Sequence, residues 1–417
     1  EYALSIGDQF LAYNSMDWVS LFLDLARIAD NAEQSKNWVQ KAFKVFYDEK
    51  SSPLELQETD FEFALQRFAL FKVIPAFTQY EWQLFKQEND VKLLDKSYQF
   101  AKKGIEFADY IWQHQRTDES KLELVKLARE HIETTIQISR SMYKTKTDSS
   151  ILNDLFQLIE KHKALLLAEA IEDRGIKLDL GIPDSILKEE KRLSRLIFEE
   201  QKRLLEQKTD APLLKDSTAY YNTLFQLKEE LFRLQQSIAN DYPKYYLLKY
   251  DNTPLSIEEI QSNLSDKELL IDYMLDDQGL NIFAIQKEQV FYHHQPIQKD
   301  ELNQQLSQLQ SLIHHPNIGS SEQAKREQLK AYQQLAFQLY ETLLFPILKE
   351  FEVVQKLLII PDGMLGYLPF ELLLDEVSTA KSSFRNLPYL LKKYSIRYEY
   401  SAKFVLPSKT TEGKPLS

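Results

Sequence analysis

Residues 357–373 read Leu357-Leu-Ile-Ile-Pro-Asp-Gly-Met-Leu-Gly-Tyr-Leu-Pro-Phe-Glu-Leu-Leu373, and they are the most informative segment for the fold of the second half of the chain. It begins with a continuous apolar run, which is typical of a strand buried on both faces. Asp362-Gly363 predicts a turn directly after that strand. Pro369 stands where a proline is tolerated at the start of a short helix. A buried strand, a turn and a helix in this order indicate an α/β layer.

The sequence on both sides of this stretch extends the α/β layer. Residues 269–275, 276–279 and 280–285 predict a strand, a turn and a second strand, and 289–292 predicts a third short strand. Two helices are predicted near 299–313 and 321–350, and alternation over 394–400 predicts a further strand. Ser256-Ile-Glu-Glu259 predicts a capping box just before the hairpin.

The first half of the chain has almost no turn-forming glycine. The 417 residues include 9 Gly and 14 Pro, and only Gly7 and Gly104 precede Gly175. Strand-rich folds need a turn residue every ~8–12 positions, so an all-β first half is excluded. Apolar residues recur instead at helical spacing from about residue 15 to residue 242. The fold class predicted for the chain is therefore mostly α, followed by a partial α/β domain.

Helix boundaries in this half are marked by polar breaks at Asn89-Asp90, Thr117-Asp118 and Asp148-Ser149-Ser150. Helix pairs of this kind favour an α-solenoid. Fragments of the 34-residue tetratricopeptide pattern occur at Tyr98-x-x-Ala101 and Gly104-x-x-Phe107-Ala108. A plain helical bundle fits the periodicity nearly as well, and both alternatives stay open.

Residues 183–242 predict an antiparallel helical hairpin. Its second helix carries apolar residues that step by three and four positions, which is a heptad seam. These residues are Leu224, Leu227, Leu231, Leu234 and Ile238. The segment 209–212 separates the two helices, and Asn240-Asp-Tyr-Pro243 ends the second.

Charge and cysteine content exclude several classes of protein. The net charge of −12 argues against a dedicated nucleic-acid-binding protein. Residues 381–417 are locally basic, with eight Lys or Arg against two Glu. A solvated linker face is favoured there over a surface that binds phosphate or an acidic partner.

The absence of cysteine excludes disulfides, thiolate metal sites and a cysteine nucleophile within the 417 residues. No run of ~18 uncharged apolar residues occurs, which predicts no membrane span and a cytoplasmic location.

Histidine and aspartate candidates for a metal or cofactor site are weak, so we predict no metal, no cofactor and no catalytic residue in this chain. His293-His294 lie next to each other on a strand and point to opposite faces. His314-His315 and Asp276-Asp277 are better explained as a helix end and a hairpin turn. His162 falls on an apolar helix stripe and is predicted to be a half-buried structural histidine. Nucleotide-binding glycine loops and a serine-hydrolase elbow are absent from the sequence.

Residues 357–373 resemble the "iiPdg.l..lPfeaL" core of the CHAT domain, a caspase-like module found with tetratricopeptide repeats. Residues 269–285 are similar to the opening hairpin of that family, and 389–402 resemble its strand that ends in Ser-Ala. The segments 163–167, 181–184 and 241–244 match the helical linker usual in these proteins. The resemblance covers roughly 155–403 and keeps the order of the motifs.

The resemblance implies a caspase-like cysteine protease in which a His and then a Cys follow the Ser-Ala strand. Neither Thr-His-Gly nor any Cys occurs in this sequence, so both residues are expected after Ser417. The loop 361–369 would then border a substrate cleft, because open α/β sheets bind ligands beyond the carboxyl ends of their strands; the alternative is that Asp362-Gly363 is only a tight turn.

The organisation expected from the resemblance has four parts. These are a helical-repeat region over 1–180, a helical hairpin linker over 181–265, the amino-terminal half of a CHAT domain over 266–403, and a linker over 404–417. The first hypothesis is that a protein or peptide bound to the repeats regulates a protease whose catalytic half lies in the same or a separate chain. The second is a non-enzymatic interaction scaffold.

Overall fold

The computed structural model of the chain describes residues 16–47, 49–63, 67–114, 118–170, 181–210, 217–250, 255–314, 321–377 and 383–405. It divides into two compact units. The first contains the described residues of Glu1–Leu158 and Leu165–Asp251, and the second contains Ile159–Ala164 and the described residues of Asn252–Lys409.

The first unit is helical, as the periodicity predicts. Its helices are α1 (Met16–Arg27), α2 (Ala32–Lys44), α3 (Glu58–Phe63), α4 (Arg67–Glu88), α5 (Val91–His114), α6 (Asp118–Lys146), α7 (Ser149–Ala170), α8 (Asp184–Asp210), α9 (Ser217–Asp241) and α10 (Pro243–Lys249). Helix α7 contributes Ile159–Ala164 to the second unit.

Two of the predicted helix breaks have the same construction. Asn89 and Thr147 follow α4 and α6 in the left-handed region, with φ of 54° and 51°, and this conformation ends a helix. The next residue of each break is an aspartate that caps the following helix: Asp90 accepts from the Lys92 amide at 2.9 Å, and Asp148 from the Ser150 amide at 2.8 Å. Both breaks are confirmed. Thr117 of the third break lies outside the described residues.

Consecutive helices of this unit pack against each other, in particular α1 with α2, α4 with α5, α5 with α6, and α8 with α9. Aromatic side chains fill the space between them. Phe61 and Phe107 are fully buried, with ring centroids 4.5 Å apart, and Phe71 lies beside Phe107. These aromatic residues therefore form core packing. The predicted helical hairpin is confirmed as α8 and α9.

The second unit contains a five-stranded sheet. Its strands are β1 (Glu268–Asp276), β2 (Gly279–Gln286), β3 (Gln289–Gln295), β4 (Lys356–Ile360) and β5 (Ser395–Tyr398), in the order β3-β2-β1-β4-β5. β1, β2 and β3 are antiparallel neighbours, whereas β4 runs parallel to both β1 and β5. Strand positions follow the predicted pattern, and the predicted fold class, mostly α with a partial α/β domain, is confirmed.

Four helices accompany the sheet: α11 (Ile257–Asn263), α12 (Lys299–His314), α13 (Glu322–Leu343) and α14 (Phe345–Leu348). The predicted capping box is present at the start of α11, where Ser256 and Glu259 exchange both hydrogen bonds. Leucines of α12 and α13 share one core with the apolar strands and with Leu365, Leu368 and Phe370 of the loop after β4. Burial of this loop fixes its position relative to the strand ends.

The β1–β2 turn requires glycine at position 279. Its φ is +143°, and a Cβ atom there would lie 2.4 Å from the main-chain oxygen of Gln295 on β3. We expect Gly279→Ala to lower the free energy of unfolding of the second unit by about 1–3 kcal/mol. Hydrogen exchange of the β1 and β2 amides measures this loss. Gly366→Ala is the matched control, because the nearest atom to its Cβ is 4.0 Å away; equal effects of the two variants would contradict the prediction.

Candidate functional site

The carboxyl ends of β1, β4 and β5 meet at one edge of the sheet, because these three strands are parallel. In the register of the sheet Asp272 is opposite Ile360, and Ile359 is opposite Tyr398. Open α/β sheets bind ligands at this edge. Two features lie there: a buried group of charged side chains and an open cleft.

The buried group joins α7 to the centre of the sheet. Lys163 of α7 is 6% exposed and forms an ion pair with Asp272 of β1, which is 1% exposed. Glu160, one turn earlier on α7, has its Oε1 3.9 Å from the Lys163 ammonium. Its Oε2 accepts from the Ser401 hydroxyl at 2.7 Å and from the Ala402 amide at 2.9 Å. One buried cation thus stands between two buried carboxylates.

The pKa of Lys163 depends both on its burial and on the carboxylates around it. Burial lowers the pKa of Lys163, while the negative charges of Glu160 and Asp362 raise it. Glu160 Oε1 and Asp272 Oδ2 accept no hydrogen bond from the described residues. An ammonium ion removed from water in this way is stable only with its carboxylate partners in place. The group is therefore a structural anchor for the sheet edge.

The loop 361–372 after β4 is tied to the neighbouring strand. The Leu275 amide of β1 donates to Asp362 Oδ2 at 2.7 Å. Gly363, with φ of +53°, then opens a 3₁₀ helix over Gly363–Tyr367, and a second one follows over Phe370–Leu372. Asp362 and Gly363 therefore do more than form a tight turn. The helix predicted after Pro369 is a single 3₁₀ turn, because the chain bends again at Leu373.

An open cleft of about 320 Å³ lies between this loop and the carboxyl end of α12. Its lining residues are Gln310, Ile313, His314, Gly366, Tyr367, Leu368, Pro369, Glu371 and Tyr398. Gln310 donates from its side-chain amide to the Tyr367 carbonyl at 3.2 Å, which joins α12 to the loop. The walls are largely apolar, which is typical of binding sites for small molecules and side chains.

Glu371 is the acidic group of the cleft. The Tyr398 hydroxyl donates to its Oε2 at 2.6 Å, and the same hydroxyl accepts from the Phe370 amide at 3.0 Å. Burial, followed by the hydrogen bond and the charge of Glu371, raises the pKa of Tyr398. Tyr398 therefore remains a neutral donor at physiological pH and holds the carboxylate at the end of β5.

The described histidines of the sequence analysis lie on β3, α7 and α12. His293 is on β3, where its Nε2 is 3.1 Å from Gln295 Oε1. His162 is 4% exposed, which is deeper burial than predicted. His314 ends α12 and lines the cleft, and His315 lies outside the described residues. Within the described ranges no three His, Cys, Asp or Glu residues are arranged to hold a metal ion.

Asp276 belongs to the hairpin turn, as predicted. Its carboxylate accepts from the Gln278 amide at 2.8 Å and from the Asn281 side chain at 3.0 Å. Asp277 is one of the two residues between the ends of β1 and β2. The turn interpretation of Asp276-Asp277 is confirmed.

Sequence reasoning missed the charged residues that define the edge. Asp272 is a single carboxylate within the apolar run Leu269-Leu-Ile-Asp-Tyr-Met-Leu275, and this interruption was a usable signal for a buried partner. Lys163 and Glu371 fall within stretches that carry the family resemblance, 163–167 and 357–373, but the resemblance gave neither of them a role. Their roles emerge only from distant contacts.

In the described part of the chain, no helix has the length and apolar character needed to cross a bilayer. No curated protein matches the chain. The family model of the CHAT domain matches residues 333–414, a range that contains β4, the loop 361–372 and β5. No family model confirms the tetratricopeptide-like repeats. This match agrees with the resemblance of residues 357–373 and is consistent with a CHAT domain in this part of the chain, from a caspase-like, protease-related family.

Proposed function

We propose that the second unit is the amino-terminal, substrate-holding half of a caspase-like cysteine endopeptidase, with the catalytic His and Cys outside these 417 residues. The observation that supports this most directly is the family match over β4, the loop 361–372 and β5, because the loop and Tyr398 of β5 line the cleft. The sequence contains no cysteine, so a thiolate nucleophile must be supplied from outside it.

In this proposal the helical first unit has a regulatory role. Long helices that pack consecutively, as α4, α5 and α6 do, present extended surfaces suited to a protein or peptide partner. Binding of that partner would control the protease, and its catalytic half would be either a continuation of this chain or a separate one. The predicted boundaries at residues 180, 265 and 403 remain part of this proposal.

Isolation of the native polypeptide tests the proposal. The polypeptide is captured from lysed source cells with an antibody raised against residues 356–374. One sample is prepared in denaturant, and its intact mass is measured. A second sample is prepared in native buffer and treated with a biotinylated acyloxymethyl ketone, which labels a reactive cysteine. We expect a mass above 49.1 kDa, or a co-purifying second chain, and biotin on the cysteine-containing part.

The recombinant 417-residue chain is the control and has no thiol to label. A native mass of 49.1 kDa without a labelled companion would reject the protease proposal. The second candidate function, a non-enzymatic scaffold, would then be favoured by the missing nucleophile. Loss of proteolysis after mutation of a labelled cysteine in the native protein would reject the scaffold.

A further inference from the structure

The cleft beside Glu371 combines one negative charge with apolar walls and no positive charge. None of its lining residues is Lys or Arg, and Glu371 forms no salt bridge with any described residue. Two basic residues close to β5 are already paired, Lys393 with Asp375 and Arg397 with Glu268. The carboxylate is thus available to a cation that enters from solvent.

Aromatic rings flank the carboxylate on its open side. Tyr367 is 69% exposed and Tyr398 is 39% exposed, and both line the cleft together with Glu371. A cation over a tyrosine ring is attracted by the negative face of the ring. Ile313, Leu368 and Pro369 supply the apolar surface that would contact an aliphatic stem. A ligand that matches these features has a positively charged group at the end of an aliphatic chain, as a lysine or arginine side chain does.

The position of β5 next to the cleft indicates that the lysine or arginine side chain belongs to a peptide. β5 is at the edge of the described sheet and pairs with β4 alone. An extended peptide can add to such an edge through its main chain. Tyr398, the last residue of β5, itself lines the cleft, so a peptide beside β5 would have a side chain within reach of Glu371.

We propose that this cleft binds an arginine or lysine side chain of an extended peptide, with Glu371 as its charge partner and Tyr367 and Tyr398 as its aromatic contacts. The inference rests on the proposed function, since it names a class of substrate for the same unit. Its test measures binding to the 417-residue chain alone, so its failure does not depend on whether a catalytic half exists.

Fluorescence anisotropy with a matched pair of peptides tests the proposal. The first is fluorescein-labelled Gly-Ser-Ala-Val-Arg-Val-Ala-Ser. The second has citrulline in place of arginine, which keeps the shape of the side chain and removes its charge. Hydrogen bonds to charged groups lead us to expect about 10-fold or more tighter binding of the arginine peptide. Equal binding of the two peptides, or no binding of either, would overturn the proposal.

Two variants locate the effect at the cleft. Glu371→Gln keeps an acceptor for the Tyr398 hydroxyl but removes the charge, and we expect it to abolish the preference for arginine over citrulline. Glu376→Gln makes the same change at an exposed position that does not line the cleft, and we expect it to leave the preference unchanged. The inference is wrong if the two variants behave alike. Thermal unfolding of both variants shows whether either has lost its fold.

Discussion

Replacement of Lys163 by methionine is expected to lower the free energy of unfolding of the second unit by about 3–5 kcal/mol. The variant leaves the carboxylates of Asp272 and Glu160 buried without their cation, and these side chains are 1% and 4% exposed. All four tryptophans, at positions 18, 38, 82 and 112, belong to the first unit, so tryptophan fluorescence would not report this loss. Hydrogen exchange of the β1 and β4 amides measures it directly.

Two further variants give this prediction its controls. Lys356→Met removes a lysine from the exposed start of β4, and we expect a change within about 0.5 kcal/mol. The double variant Lys163→Met with Asp272→Leu replaces the ion pair by apolar groups and is expected to recover at least half of the lost stability. If Lys163→Met were no more harmful than Lys356→Met, the buried ion pair would not anchor the sheet edge.

Truncation of Phe370 to alanine is expected to cost about 3–5 kcal/mol of stability in the second unit. Phe370 is fully buried, and its ring lies 5.6 Å from that of Tyr273 and 6.3 Å from that of Tyr398. Its removal opens a cavity under the loop 361–372 and loosens the support of Glu371. Hydrogen exchange of the β4 amides and pulse proteolysis under native conditions both measure this effect.

Phe345→Ala is the matched control for this second prediction. It makes the same truncation at a side chain that is 48% exposed, and we expect a loss below about 1 kcal/mol. A similar loss in both variants would mean that Phe370 does not support the loop through packing. The comparison also separates a local effect on the cleft from a general sensitivity of the unit to lost aromatic surface.

Much of the fold followed from local patterns in the sequence. The apolar run 357–360, the β1–β2 hairpin and the capping box at Ser256 each depend on residues within a few positions of one another. Such signals act through backbone geometry and the period of the side chains. The breaks at Asn89-Asp90 and Asp148-Ser149-Ser150 belong to the same class, because a left-handed residue followed by an aspartate cap is a local device.

The site was predicted only in part. The loop 361–369 was expected to border a substrate cleft, which stays a prediction; the structure shows that Gly366–Pro369 line an open cleft. The acidic group of that cleft and the buried charges beside it were not foreseen. Lys163 and Asp272 are 109 residues apart, and Tyr398 reaches Glu371 across 27 residues. No periodicity connects such pairs, since their contact depends on how α7, β1 and β5 come together.

The class and order of the elements could be read from the amino-acid sequence, because hydrophobic period and turn residues are properties of short segments. The lack of a thiol nucleophile among these residues follows from composition alone. Which charges are buried and which remain open to solvent follows from tertiary packing alone. The desolvation of Lys163 and the exposure of the Glu371 cleft depend on the residues packed around them. Neither property can be predicted from the identity of a residue and its neighbours in sequence.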